Sequence, residues 1–221
     1  MTPTPDPDRP STARAGFTGT ALIAAPVLTA GYGMIRLNDG QRGPGPGWTS
    51  GHLLFDIAVL GYALILIELR RSSRRRIAAS LFTAVGLLGA LCVLAQITID
   101  LWVGAVSADR AAMDLHYGSI QSSALVNAAV YTTGPLLFYV GLLALSLLAA
   151  AQARPRLSWR VPVAVLAGTV LAAASLNLLP VAALCYGVAF VPEGVRLLRA
   201  GRPQGATSPG PVQQPAVAAR G

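Results

Sequence analysis

His52 and Asp56 stand four residues apart in an apolar stretch, a spacing that puts an imidazole and a carboxylate on one face of a helix. Cys92, Gln96 and Asp100 repeat that step, as do Ser119, Ser123, Asn127 and Tyr131, with His116 just ahead of them. Ionisable groups inside apolar segments are costly, so each is a functional candidate. The candidate ligand-binding set is therefore His52, Asp56, Gln96, Asp100, His116, Asn127 and Tyr131. Asp56 and Asp100 are also the candidate catalytic acids. A carboxylic acid kept protonated in an apolar pocket can donate to a lipid-like substrate, as in cyclisation of a polyprenyl chain by a terpenoid cyclase.

Imidazole and carboxylate oxygen also suit zinc and other first-row metals. Neither spacing is a metal motif, however, because Asp114 and His116 are two apart and only a loop or strand would bring both to one ion. No metal or cofactor is assigned. The same groups would be satisfied without any ligand if Arg36 neutralised Asp56 or Asp100 and the hydroxyls bonded across helices.

The elements that must carry these residues are membrane helices. Of 221 residues 53% are hydrophobic and 12% charged, a balance beyond what a soluble core of this size needs. Six stretches approach the roughly 20 residues that cross a hydrocarbon core: 17–35, 50–69, 77–99, 122–150, 159–177 and 180–198. The expected fold is an all-α, polytopic transmembrane helix bundle spanning residues 16–200. Tails at 1–15 and 201–221, rich in proline and small polar residues, cannot bury apolar area and read as disordered. The first span reads as a retained helix, since Leu28 is not the small residue that a cleavage site after Ala30 would prefer. The long stretch 161–199 divides at Asn177–Pro180, and Pro192 with Gly194 should kink or fray its inner end.

Orientation follows from arginine. All seventeen basic residues are arginine, and five of them occupy the block Arg70, Arg71, Arg74, Arg75 and Arg76 between the second and third spans. With both termini inside, fourteen arginines face the cytoplasm and Arg36, Arg42 and Arg110 face outward. This N-in, C-in arrangement places the chain in the plasma membrane and sends both histidines and Asp56, Asp100 and Asp114 to the outer side. The net charge of +8 then reflects membrane orientation, not a nucleic-acid partner.

Other chemistry finds little support. No G-x-S-x-G elbow, H-E-x-x-H helix, phosphate loop or C-x-x-C pair is present. Gly43 to Gly47 form a rigid turn before Trp48, and Trp48, Trp102 and Trp159 read as interfacial belt residues. Cys92 and Cys185 read as free, packed thiols, and Gly86, Gly89 and Ala90 give the third span a small face for close packing.

The run from Gly47 through His52 to Leu54 that opens the second span, with Ile99-Asp100 closing the third, resembles small six-span integral membrane proteins of high-GC Gram-positive bacteria. The resemblance covers most of residues 17–199. It implies six helices in a bacterial plasma membrane and carries no activity or catalytic residues with it. The expected role is an accessory subunit or a binder of a small ligand through an outward-facing polar cavity. Acid–base catalysis on a lipid-like or polyprenyl substrate and a part in a small transporter are the alternatives. Expected partners are the lipid bilayer, another membrane protein or a second copy, and a small apolar ligand.

Overall fold

The structure, a computed structural model, describes residues 12–40, 42–152 and 159–200. Residues 1–11 of the tail expected at 1–15, and all of the tail expected at 201–221, lie outside the described residues. Among the described residues every regular element is helical. We number them α1 (Thr12–Asn38), α2 (Pro46–Ser72), α3 (Arg76–Val106), α4 (Arg110–Gln121), α5 (Ala124–Gln152), α6 (Arg160–Ala174) and α7 (Leu179–Ala200). A 3-10 turn at Leu176–Leu178 leads into α7.

α1, α2, α3, α5, and α7 with its leading turn, are long and apolar enough to cross a membrane. α6 is apolar but has 15 residues, about 22 Å of helix, because Ser175 turns extended and ends it. α1 starts at Thr12, inside the stretch read as a tail, since no proline follows Pro10 until Pro26. α7 runs unbroken through Pro192, so the expected fraying there does not occur.

The helices alternate in direction. Arg14 Nη2 meets Glu68 at 3.1 Å, and Gln152 Nε2 donates to Ser73 Oγ at 3.0 Å, so the start of α1 and the ends of α2 and α5 share the arginine-loop end. At the opposite end Arg42 donates to Asn177 Oδ1 at 2.9 Å, joining the loop after α1 to the turn before α7. α6 therefore carries the chain back between the two ends.

Apolar side chains cover the outside, among them Phe17, Ile57, Leu81, Leu91, Val163 and Leu184. Such a surface fits lipid, in which helices associate through close packing and not through water exclusion. The tightest seam joins α3 to α5. A Cβ on Gly89 would lie 2.1 Å from the Phe138 nitrogen, and one on Gly86 would lie 3.3 Å from the Gly141 Cα. The small face expected on the third span is thus used for backbone contact. In the bundle centre Tyr62 packs edge-on against Phe138, Tyr186 and Phe190, and Thr29 donates to its hydroxyl at 3.4 Å.

Candidate functional site

Two regions at opposite ends of the bundle compete for the name of site. The first lies at the end away from the arginine loop and gathers several of the expected residues.

Gly45 precedes α2 at φ 153°, and Pro46 starts the helix, where a missing N–H costs nothing. Trp48 follows in the first turn and ties α2 to α3. Its indole Nε1 donates to the Asp100 carbonyl at 2.8 Å, and its ring lies against Gly104, where a Cβ would be 2.5 Å from Trp48 Cδ1. One turn on, His52 is buried, with its ring centroid 4.2 Å from that of Trp48 and 5.3 Å from that of Tyr32.

The histidine tautomer follows from its partner. Nδ1 lies 2.8 Å from the Trp48 carbonyl, which only accepts, so Nδ1 carries a proton. Nε2 then faces Asp100 Oδ2 at 3.6 Å. A bare nitrogen lone pair opposite a carboxylate is repulsive. One further proton shared by the pair, on Nε2 or on the carboxyl, makes the contact attractive. The other carboxyl oxygen, Oδ1, accepts from the Tyr117 hydroxyl at 2.7 Å. Tyr117 sits on α4, outside the long helices. Burial first, and the Asp100 charge second, push its phenol above the ordinary value of 10.0, so it remains a donor.

The remaining expected residues disperse. Asp56 is half-buried four residues along α2 from His52, beside the exposed Leu53, Ile57 and Leu60, and has no ion pair among the described residues. Neither Asp56 nor Asp100 pairs with Arg36; the partners of Asp100 are His52 and Tyr117. Arg36 lines the adjacent crevice, and its Nε has no hydrogen-bond partner among the described residues. His116 packs edge-on against Trp102 at 5.6 Å and does not reach His52. Gln96 is half-buried on α3, one turn before Asp100, and Asn127 is exposed.

The expected stripe from Ser119 to Tyr131 is not one helix face. α4 ends at Gln121, Ser122 and Ser123 turn the chain, and residues Asn127–Thr133 are wound as a π-helix at the start of α5. Asp109 caps α4, accepting from the Ala112 nitrogen at 2.8 Å, so this amphipathic helix has its own start signal. Trp48, read from sequence as a belt residue, also clasps α2 to α3, whereas Trp102 and Trp159 are half-exposed.

The cluster at this end leaves little room. The crevice lined by Tyr32, Arg36, Trp48 and His52 encloses about 20 Å³, enough for one water. Among the described residues no three His, Cys, Asp or Glu side chains are placed to hold a metal ion. Cys92 and Cys185 are free thiols.

The second region, at the arginine-loop end, is a cavity of about 470 Å³, in the size range of small-molecule sites. Its walls come from α1, α2, α5, α6 and α7, with Leu22, Ile65, Ala149, Val161 and Phe190 contributing apolar surface. Ser146 also lines it, but its hydroxyl donates to the Leu142 carbonyl of its own helix at 2.7 Å. The charged residues of the lining, Glu68, Glu193 and Arg196, are all in ion pairs, and Glu68 also lies 3.9 Å from Arg71. Arg14 holds Glu68, and Arg196 grips both oxygens of Glu193, with Nε to Oε2 at 2.8 Å. An apolar chamber with a charged rim suits a molecule with an apolar body and a polar head. Sequence reasoning missed it, because its lining is drawn from five helices and contains no motif.

No protein-family model, curated protein or solved structure matches the chain.

Proposed function

We propose that this chain is an integral membrane protein that binds a small amphiphile in the cavity at its arginine-loop end. The bundle crosses the membrane six times, α6 included, with both termini and the arginine loop in the cytoplasm. The observation that carries the proposal is the 470 Å³ cavity, apolar in its walls and ringed by the Glu68–Arg14 and Glu193–Arg196 pairs. The arginine asymmetry of fourteen to three supports the orientation, and the alternation of helix directions supports six crossings in spite of the short α6.

A binding role through the outer polar residues is less well supported, since their crevice accommodates about one water. The same lack of space argues against acid–base catalysis on a polyprenyl substrate there. The His52–Asp100–Tyr117 contacts serve to join α2, α3 and α4. An accessory role within a larger membrane assembly is compatible with amphiphile binding and draws on the half-buried Asp56 on the apolar outer face of α2.

A fluorescent fatty-acyl probe, titrated onto the purified protein, tests the binding proposal. Binding should be saturable and should be lost in Ala149→Phe, whose added ring enters the cavity from α5. Equal binding by wild type and Ala149→Phe, both folded, would sink the proposal.

A further inference from the structure

The arginine loop does more than mark an orientation. A second cavity, of about 220 Å³, lies between the end of α2 and the start of α3, lined by Arg70, Arg71, Arg76, Ser73 and Ser80. Among the described residues no acidic side chain lines it. Arg71 is 3.9 Å from Glu68, a contact outside the lining, and Arg70 Nε donates to Ser80 Oγ at 3.0 Å, which fixes one guanidinium over α3. Orientation alone requires arginines in this loop but does not require three of them to converge.

The loop is held in shape. Gln152, at the end of α5, accepts from the Arg74 backbone nitrogen and donates to Ser73 Oγ at 3.0 Å and to the Leu148 carbonyl at 2.7 Å. Ser73 is buried as a result. Arg76 also sits where a helix disfavours a cation: α3 begins there and its first turn has no acidic residue, so the positive end of that dipole adds to its charge, whereas Arg70 and Arg71 in the last turn of α2 meet a favourable dipole end. A bound anion would offset that repulsion. Guanidinium groups and hydroxyls are the donors that recognise phosphate oxygens.

Directly beyond the cavity Ile77 is 90% exposed and Leu81 61% exposed, one turn apart on α3. A phosphate that carries acyl chains could lay them along this apolar strip. We infer that the cavity formed by Arg70, Arg71, Arg76, Ser73 and Ser80 is a phosphate site, occupied by the headgroup of an anionic glycerophospholipid. The site is separate from the amphiphile cavity and does not depend on it.

The test measures thermal unfolding of the full chain in neutral detergent with added phosphatidylglycerol, phosphatidylcholine or inorganic phosphate. Phosphatidylglycerol should raise the unfolding temperature and phosphatidylcholine should not. In the double variant Arg70→Gln/Arg76→Gln the apparent affinity for phosphatidylglycerol should fall about thirtyfold, from about fivefold per arginine at a membrane surface. Ala149→Phe should keep the full response, which separates this site from the larger cavity. A shift produced by inorganic phosphate at the same concentration, and lost in the double variant, would keep the phosphate site and assign it to free phosphate. An unaltered response to phosphatidylglycerol in the double variant, or an equal response to phosphatidylcholine, would overturn the inference.

Discussion

Trp48 and Gly104 should be energetically coupled across the α2–α3 contact, and the size of the coupling follows from their geometry. The indole Nε1 bonds the Asp100 carbonyl at 2.8 Å, and the ring fills the space where a Gly104 side chain would stand, 2.5 Å from Cδ1 and 2.7 Å from Nε1. Trp48→Phe loses one hydrogen bond, worth about 1 kcal/mol net, because the Asp100 carbonyl keeps its place in the helix ladder. The smaller ring leaves a void that adds roughly another 1 kcal/mol. Gly104→Ala in the native background forces a methyl into the indole and costs about 1–3 kcal/mol, against a helix-propensity gain of up to about 1 kcal/mol. With Trp48→Ala the obstruction is gone, so Gly104→Ala should become neutral or stabilising. A double-mutant cycle on unfolding in mixed micelles should therefore give a coupling of about 2 kcal/mol. Additivity of the two substitutions within about 0.5 kcal/mol would refute the clasp.

Gly89→Leu should abolish folding, because even a Cβ there meets the Phe138 nitrogen at 2.1 Å; monodisperse elution of the purified variant would contradict the α3–α5 seam. Tyr117→Phe should lower thermal stability by about 1–2 kcal/mol through loss of the 2.7 Å bond to Asp100. The Tyr117 phenol is raised above 10.0 in the folded chain, so its contribution should be whole below about pH 10 and decline as the pH rises towards the folded value. An ultraviolet titration in which Tyr117 ionises with the exposed phenols would contradict that burial. A cysteine at Arg74, in a chain with Cys92 and Cys185 replaced by alanine, should resist an impermeant thiol reagent in intact cells and react after lysis. Ready labelling in intact cells would invert the proposed topology.

The helical class and most helix positions were legible because apolar runs of membrane length are continuous along the chain. What escaped depended on rotation and on breaks. Periodicity placed His52 and Asp56 on one face, yet the bundle buries His52 against Asp100 and leaves Asp56 at the outer surface, a choice made by the packing of α2 on α1 and α3. The four-residue step from Ser119 to Tyr131 looked like one face, but the turn at Ser122–Ser123 and the π-helical winding of Asn127–Thr133 break it. Asp109, three residues before Ala112, was a readable cap for α4. By charge alone Arg36 is the natural partner of an aspartate, whereas Tyr117 and His52 hold the places nearest the Asp100 carboxylate. The large cavity had no signature at all, since residues as far apart as Leu22 and Phe190 form it.

Native mass spectrometry of the protein, released from detergent, addresses the amphiphile cavity most directly. Wild type should retain a single bound amphiphile, and Ala149→Phe, folded to the same degree, should not. Identical spectra for the two proteins, with no bound species or with the same one, would contradict the account.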